Sequence, residues 1–353
     1  MKKYSRIIII VLFGFLPTRG FLQQNTTVDS TTNKKAKERT PDLAKIIFDE
    51  VLDKHEFLLV EVDGKSVSIP LPVIIYSPQR GLAIFMSSRL QHGSVYKGYK
   101  QIENKIVAVN GAGTPEKEVP VYDFSLTRNV VQMIFSVLLL FLIMMRVAKS
   151  YKDIGAKSAP KGFQNAMETV INFVRDEVAK PNLGNRYEKY LPFLLAVFFF
   201  ILINNLLGLI PLSAKVTGNI AVTLVLAFIS LMVILSSTNR TYWSHIFSPP
   251  DMPFLIKLIL VPVELAGIFI RPAALMIRLF ANMVAGHIII ICFISLIFIF
   301  SAISKTAGLG FLPVSIAFTV FIYLLELLVA FIQAFIFTNL TAVFIGQAFE
   351  KKH

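Results

Sequence analysis

The sequence predicts an all-α, multi-span membrane protein whose long tilted helices form a hairpin, preceded by a small external α+β module near the N-terminus. Three observations predict it. Hydrophobic residues make up 55% of the 353 and charged ones 16%, against about 25% charged in a soluble chain. Several apolar runs reach the roughly 20 residues that cross a bilayer. The Lys and Arg residues gather in the loops beside those runs, where the positive-inside rule puts them. The net charge of +13 therefore reads as membrane topology and not as a nucleic-acid partner. The single cysteine, Cys292, lies within an apolar run. That excludes an internal disulfide framework and a cysteine-based metal site.

Residues 1–20, MKKYSRIIIIVLFGFLPTRG, set a basic start before about ten apolar residues, too few for a stable span and the pattern of a signal peptide. The segment lacks a clean small-x-small cleavage site, so a retained short anchor is the alternative. Residues 21–39 are polar and pattern-free, as in a disordered linker. The external module is expected over 40–125. It opens on TPDLAKIIFDEVLDKHEF, with Thr40 as N-cap, Pro41 in the first turn, and Leu43, Ile46, Ile47 and Val51 at helical spacing. EFLLVEVDGKSVSIPL then reads as two strands around an Asp63-Gly64 hairpin turn. GLAIFMSS and NKIVAVNG read as further strands. No catalytic cluster is visible here, and His55 and His92 read as structural or surface histidines.

The membrane domain is expected over 129–350, with spans at about 129–147, 191–212, 220–236, 254–303 and 311–349. Between the first two spans, Phe163, Met167, Val170 and Val174 share one helical face. That predicts an interfacial helix at about 162–178. A polar loop with Trp243, Pro249 and Pro250 follows the third span. The last two runs would be roughly 75 and 58 Å long as helices. Residues 273–300 hold no Pro and one Gly, and a break in lipid would strand backbone polar groups at several kcal/mol each. Two long tilted helices joined by a turn at SKTAGLGFLP (304–313) are therefore expected, with Pro262 and Pro272 as possible kinks. The 148–190 loop holds eight Lys/Arg: Lys149, Lys152, Lys157, Lys161, Arg175, Lys180, Arg186 and Lys189. It is expected in the cytoplasm, with the C-terminus, and the module outside.

RLFANMVAGH (278–287) places Arg278 deep in hydrocarbon, where a charge costs about 2.5–3.5 kcal/mol on insertion scales. Such a residue is paired, faces water or meets a partner. At 100° per residue, Gly267, Arg271, Ala274, Ala281, Asn282 and Ala285 fall within about 60° of Arg278, and Glu264 joins the same line. Small residues allow close helix approach, so the stripe aims Arg278 at another helix. His287 lies about 180° around from it. In the second long helix, Glu326 and Gln333 are seven residues apart on one face. A histidine and a glutamate in one membrane suit a proton relay. Arg278 could instead pair structurally with Glu264 or Glu326, and Arg271 reads mainly as a packing or interface residue. Asn204 and Asn205 could line a pathway or satisfy backbone.

RLFANMVAGH, the upstream PVELAGIFIRPAALMI and the C-terminal LELLVAFIQAFIFTNL occur in the order and at the spacing of one family. Over roughly 129–350 the chain resembles subunit a of the F-type ATP synthase. The resemblance implies a stator subunit that does no covalent chemistry itself and needs no cofactor. It implies that Arg278 faces the proton-carrying carboxylates of a rotating c-ring, between two aqueous half-channels. Glu264, Asn282, His287, Glu326 and Gln333 match the family's polar lining. Implied partners are the c-ring, the subunit b peripheral stalk, membrane lipids and transported protons, in a bacterial inner membrane. Many bacterial members exchange the acid and imidazole relative to His287 and Glu326; the order here resembles the mitochondrial one. The external module is longer than in compact members. Two rival classes lack their signatures. A secondary transporter would want internal repeats, and a membrane hydrolase a Ser-His pair or a metal motif.

Overall fold

The computed structural model describes residues 55–62, 65–102, 105–110, 113–116, 119–154, 162–210, 213–247 and 253–349. The expected signal peptide, linker and opening helix at 40–54 lie outside those residues. The described part of the module is built from strands and one 3-10 turn, Ser87–Gly93. Strand β1 (Glu56–Val62) pairs antiparallel with β2 (Lys65–Pro70), and the register closes at Val62 opposite Lys65. Asp63 and Gly64, the expected turn, lie outside the described residues. Strands β3 (Pro72–Ser77), β4 (Gly81–Met86) and β7 (Tyr122–Asp123) form a second sheet in the order β4-β3-β7. Strands β5 (Tyr99–Ile102) and β6 (Lys105–Ala108) form a third.

Strand β3 hides in sequence among Pro70, Pro72 and Pro78. Pro72 takes the first strand position, where proline is tolerated. Alternate residues Val73, Ile75, Ala83 and Phe85 turn inward onto Leu90, Tyr99, Ile106 and Ala108. His55 is buried, and its Nε2 lies 2.8 Å from Asp123 Oδ2. This histidine is structural: it pins the start of β1 to β7. Burial opposes ionisation of Asp123, but the bonds from His55 and Ser125 outweigh it and hold the carboxyl below its ordinary range. The side chain of His92 is outside the described set.

Among the described residues, four helices are long and apolar enough to cross a membrane. The first, α1 (Arg128–Ile154), exposes Ile134, Phe135, Leu138, Phe141 and Met145. Its first turns are buried in protein. Gln132 there donates from Nε2 to Ala214 O (2.6 Å) and accepts from Ala214 N–H at Oε1 (2.7 Å). This clamp fixes the segment that follows α3.

Helix α2 (Phe163–Phe173) continues through a π turn, Val174–Ala179, and one more turn to Leu183. Gly184, at φ 53°, breaks the course, and α3 (Tyr187–Gly208) begins after a 3-10 turn. The amphipathic face expected to lie in the interface is partly covered by protein. Phe163 is exposed, but Met167 and Val170 pack on the main core, and Val174 and Val178 are fully buried. Asn182 Nδ2 donates to Asn339 Oδ1 at 2.8 Å. Gly346 admits the Asn182 carbonyl so closely that a Cβ there would meet it at 2.2 Å. The paired contacts, not amphipathicity alone, decide where this helix sits.

Helix α3 is apolar on every side and lies at the centre, as such a helix must. Leu194, Phe198, Phe199 and Ile201 are its buried anchors. Helix α4 (Ile220–Ser236) starts at Asn219, whose side chain accepts from Ala221 N–H. The loop expected after it is partly helical: α5 spans Arg240–Phe247. Buried Ile246 joins Leu231 and Ile268, and Trp243 Nε1 donates to Thr238 Oγ1 at 3.1 Å. Two apolar contacts thus stabilise a short polar helix.

Helices α6 (Phe254–Ile303) and α7 (Lys305–Phe349) form an antiparallel hairpin of 50 and 45 residues. The expected turn at 304–313 is much tighter. Only Ser304 leaves helical geometry, at φ −157° and ψ 137°. Gly308 lies against Ser301, so a Cβ there would sit 2.8 Å from Ser301 Cα. Ser315 Oγ donates to Phe293 O at 2.5 Å, and Phe293 stacks on Phe318. These contacts let Gly308, Gly310 and Pro313, ordinary helix-breaking signals, lie within α7. At about 75 Å, α6 exceeds the ~30 Å hydrocarbon core more than twofold. It can lie within such a slab only at a strong tilt.

Candidate functional site

Helix α6 packs on the rest of the chain through Ile268, Leu275, Leu279 and Ile290. The stripe one turn around is uncovered: Arg271, Ala274, Arg278, Ala281, Asn282 and Ala285 are all exposed. Among the described residues Arg278 makes no ion pair and no hydrogen bond; neither Glu264 nor Glu326 reaches it. The guanidinium projects from a surface of small side chains, where another helix can approach closely.

On the adjoining flank, α3, α6 and α7 line a small open cavity. Its polar lining is Asn205, Asn282, Glu326 and Gln333, against Leu209, Leu279, Met283, Val329 and Ala330. Three of the six sequence-proposed residues, Asn282, Glu326 and Gln333, thus share one space. Asn205 is one of the two asparagines, with Asn204, that sequence left undecided. Its Nδ2 donates across to Ala330 O at 3.3 Å, while Asn204 Nδ2 donates at 2.8 Å to Phe200 O of its own helix. The two neighbours separate: Asn205 faces the cavity and Asn204 serves α3.

Glu326 reaches α6 at Gly286, the residue before His287. A Cβ on Gly286 would lie 2.0 Å from Glu326 Oε1 and 2.9 Å from Cδ. The glycine is what admits the carboxyl. His287 is half-buried one position further along. Lys215 is close enough for its charge to act on Glu326. Sequence reading did not place this lysine at the site. Its only signal is its isolation as the sole charge between 212 and 219. The Gln132–Ala214 clamp sits one residue before it.

Glu264 and Arg271 lie elsewhere. Arg271 donates to Gln347 Oε1 at 3.2 Å and stacks over the Phe344 ring at 5.2 Å. Both contacts are near the C-terminal end of α7. Glu264 is half-buried and lines no part of the cavity. Arg278 therefore stands between two acidic levels on α6. Glu264 is 14 residues, or about 21 Å, to one side, and Gly286 with Glu326 is eight residues, or about 12 Å, to the other. Among the described residues no group of His, Cys, Asp and Glu could hold a metal ion.

Two family models match the chain. One, "Domain of unknown function (DUF8433)", covers residues 46–124. The other, "ATP synthase A chain", covers residues 130–346. The chain is 49% identical over 239 residues to "ATP synthase subunit a" of Chloroherpeton thalassium, spanning 66% of this chain and 69% of that one. It is 47% identical over 239 residues to "ATP synthase subunit a 2" of Chlorobaculum tepidum, covering 66% of each. It is 48% identical over 230 residues to "ATP synthase subunit a" of Chlorobium phaeobacteroides strain BS1, covering 64% of this chain and 66% of that one. With a match that runs from the first turn of α1 nearly to the end of α7, this chain belongs to the ATP synthase A chain family.

Proposed function

We propose that the chain is the stator of a rotary proton path: it forms two half-channels against a rotating c-ring and couples proton flow to ATP synthesis. The observation that carries this is Arg278, uncovered on a small-residue stripe and placed between two separate acidic levels. An uncovered cation on such a face of a membrane helix needs a mobile anionic partner. A ring of helices, each bearing one carboxyl, supplies one after another.

In this reading a proton enters along one level and neutralises a ring carboxylate, which can then turn into lipid. The next carboxyl arriving at Arg278 is stabilised as its anion and releases its proton to the other level. Gln333, Asn282 and Asn205 hold water in the Glu326 cavity, and His287 extends that path. Glu264 belongs to the opposite level. The fixed charge of Arg278 also blocks a direct proton leak, since a hopping proton meets a cation. The chain makes no covalent bond and uses no cofactor. Its partners are the c-ring and the subunit b stalk, in a bacterial inner membrane.

Two measurements test this. Affinity purification of the tagged chain from mild detergent should bring down a ring of small hairpin subunits; a chain that purifies alone, from membranes where the ring is present, overturns the stator reading. Orientation is read with an impermeant thiol reagent in a Cys292→Ser background. Ser94→Cys should label from outside the cell and Ser158→Cys only in inverted vesicles. The motive is the eight Lys/Arg of the 148–190 loop. Labelling of both from one side removes the proposed topology.

A further inference from the structure

We propose that the outer face of the β4-β3-β7 sheet docks on the lipid headgroup layer beside α1. An antiparallel sheet covered on one side usually presents polar residues on the other. This one does not. By register, Pro72 faces Met86, Ile74 faces Ile84, and Tyr76 faces both Leu82 and Tyr122. All of these side chains therefore share one face, opposite to the buried Val73, Ile75, Ala83 and Phe85. Leu82 is 63% exposed, Ile84 57% and Phe124 67%. No charged residue interrupts them. With Tyr76, Met86 and Tyr122 they expose an area on the order of several hundred Å², the size at which an apolar patch marks an interaction site.

The position of the sheet selects the occupant. Phe124 N–H donates to Ile74 O (2.9 Å), Leu126 N–H to Pro72 O (3.2 Å), and Ile74 N–H to Ser125 Oγ (3.1 Å). The chain is therefore bonded to β3 as far as Leu126, and α1 begins two residues later, at Arg128. The exposed apolar surface of α1 starts at Ile134 and Phe135, about 9 Å along the helix. The headgroup layer is roughly 5–7 Å deep on each side of a ~30 Å core. The near end of the sheet therefore stands at the edge of that layer. The chemistry also fits that layer. Tyr76 and Tyr122 pair an apolar ring with a polar tip, the residue type enriched where hydrocarbon meets water.

The test uses the full chain in the assembled membrane sector, reconstituted in phosphatidylethanolamine–phosphatidylglycerol vesicles. A nitroxide is placed at Ile84→Cys or Met86→Cys, in a Cys292→Ser background. Dissolved oxygen concentrates in lipid and a nickel chelate in water, so their effects on label relaxation report the environment. Docking predicts that oxygen acts several-fold more strongly than the chelate at both positions. A label at exposed Lys105→Cys, on β6, should show the reverse. Chelate-dominated relaxation at 84 and 86 would mean a wet face and overturns the proposal. Protection from both agents would mean a protein cover, whether another subunit or a second copy, and overturns it equally.

Discussion

Replacing Arg278 with alanine or glutamine is expected to abolish proton-driven ATP synthesis and ATP-driven pumping in membranes where the complex still assembles. The side chain is exposed and unbonded among the described residues, so its removal leaves no buried partner stranded. Folding should therefore survive, and the loss should be functional. A preorganised group that stabilises developing charge typically contributes on the order of 10²–10³-fold in rate, and on the proposed path every transported proton passes the same group. Arg278→Lys should be nearly as damaged. A guanidinium stays protonated and offers a planar fork to a carboxylate, whereas an ammonium is a strongly hydrated point charge that can lose its proton when desolvated. Passive proton leak should rise in the alanine variant, because the barrier between the two levels is gone. The measurement is ATP synthesis in inverted vesicles under an imposed gradient, with assembly checked by co-purified ring. Coupled synthesis by an assembled Arg278→Ala complex, at more than about a tenth of the normal rate, would sink the stator reading.

The long helices and the outward stripe were legible because each depends on one element's own periodicity. A run of apolar residues without a turn signal has few alternatives in lipid, and spacing alone puts Arg278, Ala281, Asn282 and Ala285 on one line. What escaped depends on contacts between elements. The turn between α6 and α7 shrank to Ser304 because Gly308 fits against Ser301, and nothing local announces that fit. Helix α5 forms where a loop was expected because Ile246 finds Leu231 and Ile268. Asn205 and Lys215 join the site through partners more than 100 residues away, Ala330 and Glu326. Gly286 illustrates the same limit. In sequence it is one small residue among several. In the fold it is the gap through which the Glu326 carboxyl touches α6.

That gap leads to the second large expected effect. Glu326→Gln keeps the shape of the side chain and removes its ability to carry a proton, so proton flux through the assembled sector should fall roughly 10²-fold, as when a positioned proton carrier is lost. Gly286→Ala leaves the carboxyl chemically intact and moves it. The added Cβ would sit 2.0 Å from Oε1, which is the far end of a flexible side chain, so the carboxyl yields before the helix does. Assembly should hold while flux drops by about tenfold, within the range that small misplacements of a reacting group produce. Gly286→Val should cost more, because a branched side chain also meets Cδ and Cγ of Glu326. The neighbouring imidazole supplies the sharper test. His287→Ala should depress flux strongly on its own. The exchange of His287→Glu with Glu326→His restores one acid and one imidazole across the α6–α7 contact, and should recover part of the flux lost in either single variant. All of these variants are read as gradient-driven proton uptake into vesicles with equal amounts of assembled ring. An exchanged pair no better than the worse of its single variants would show that the two residues do not work as one relay. Normal flux in Glu326→Gln would remove the cavity from the proton path altogether.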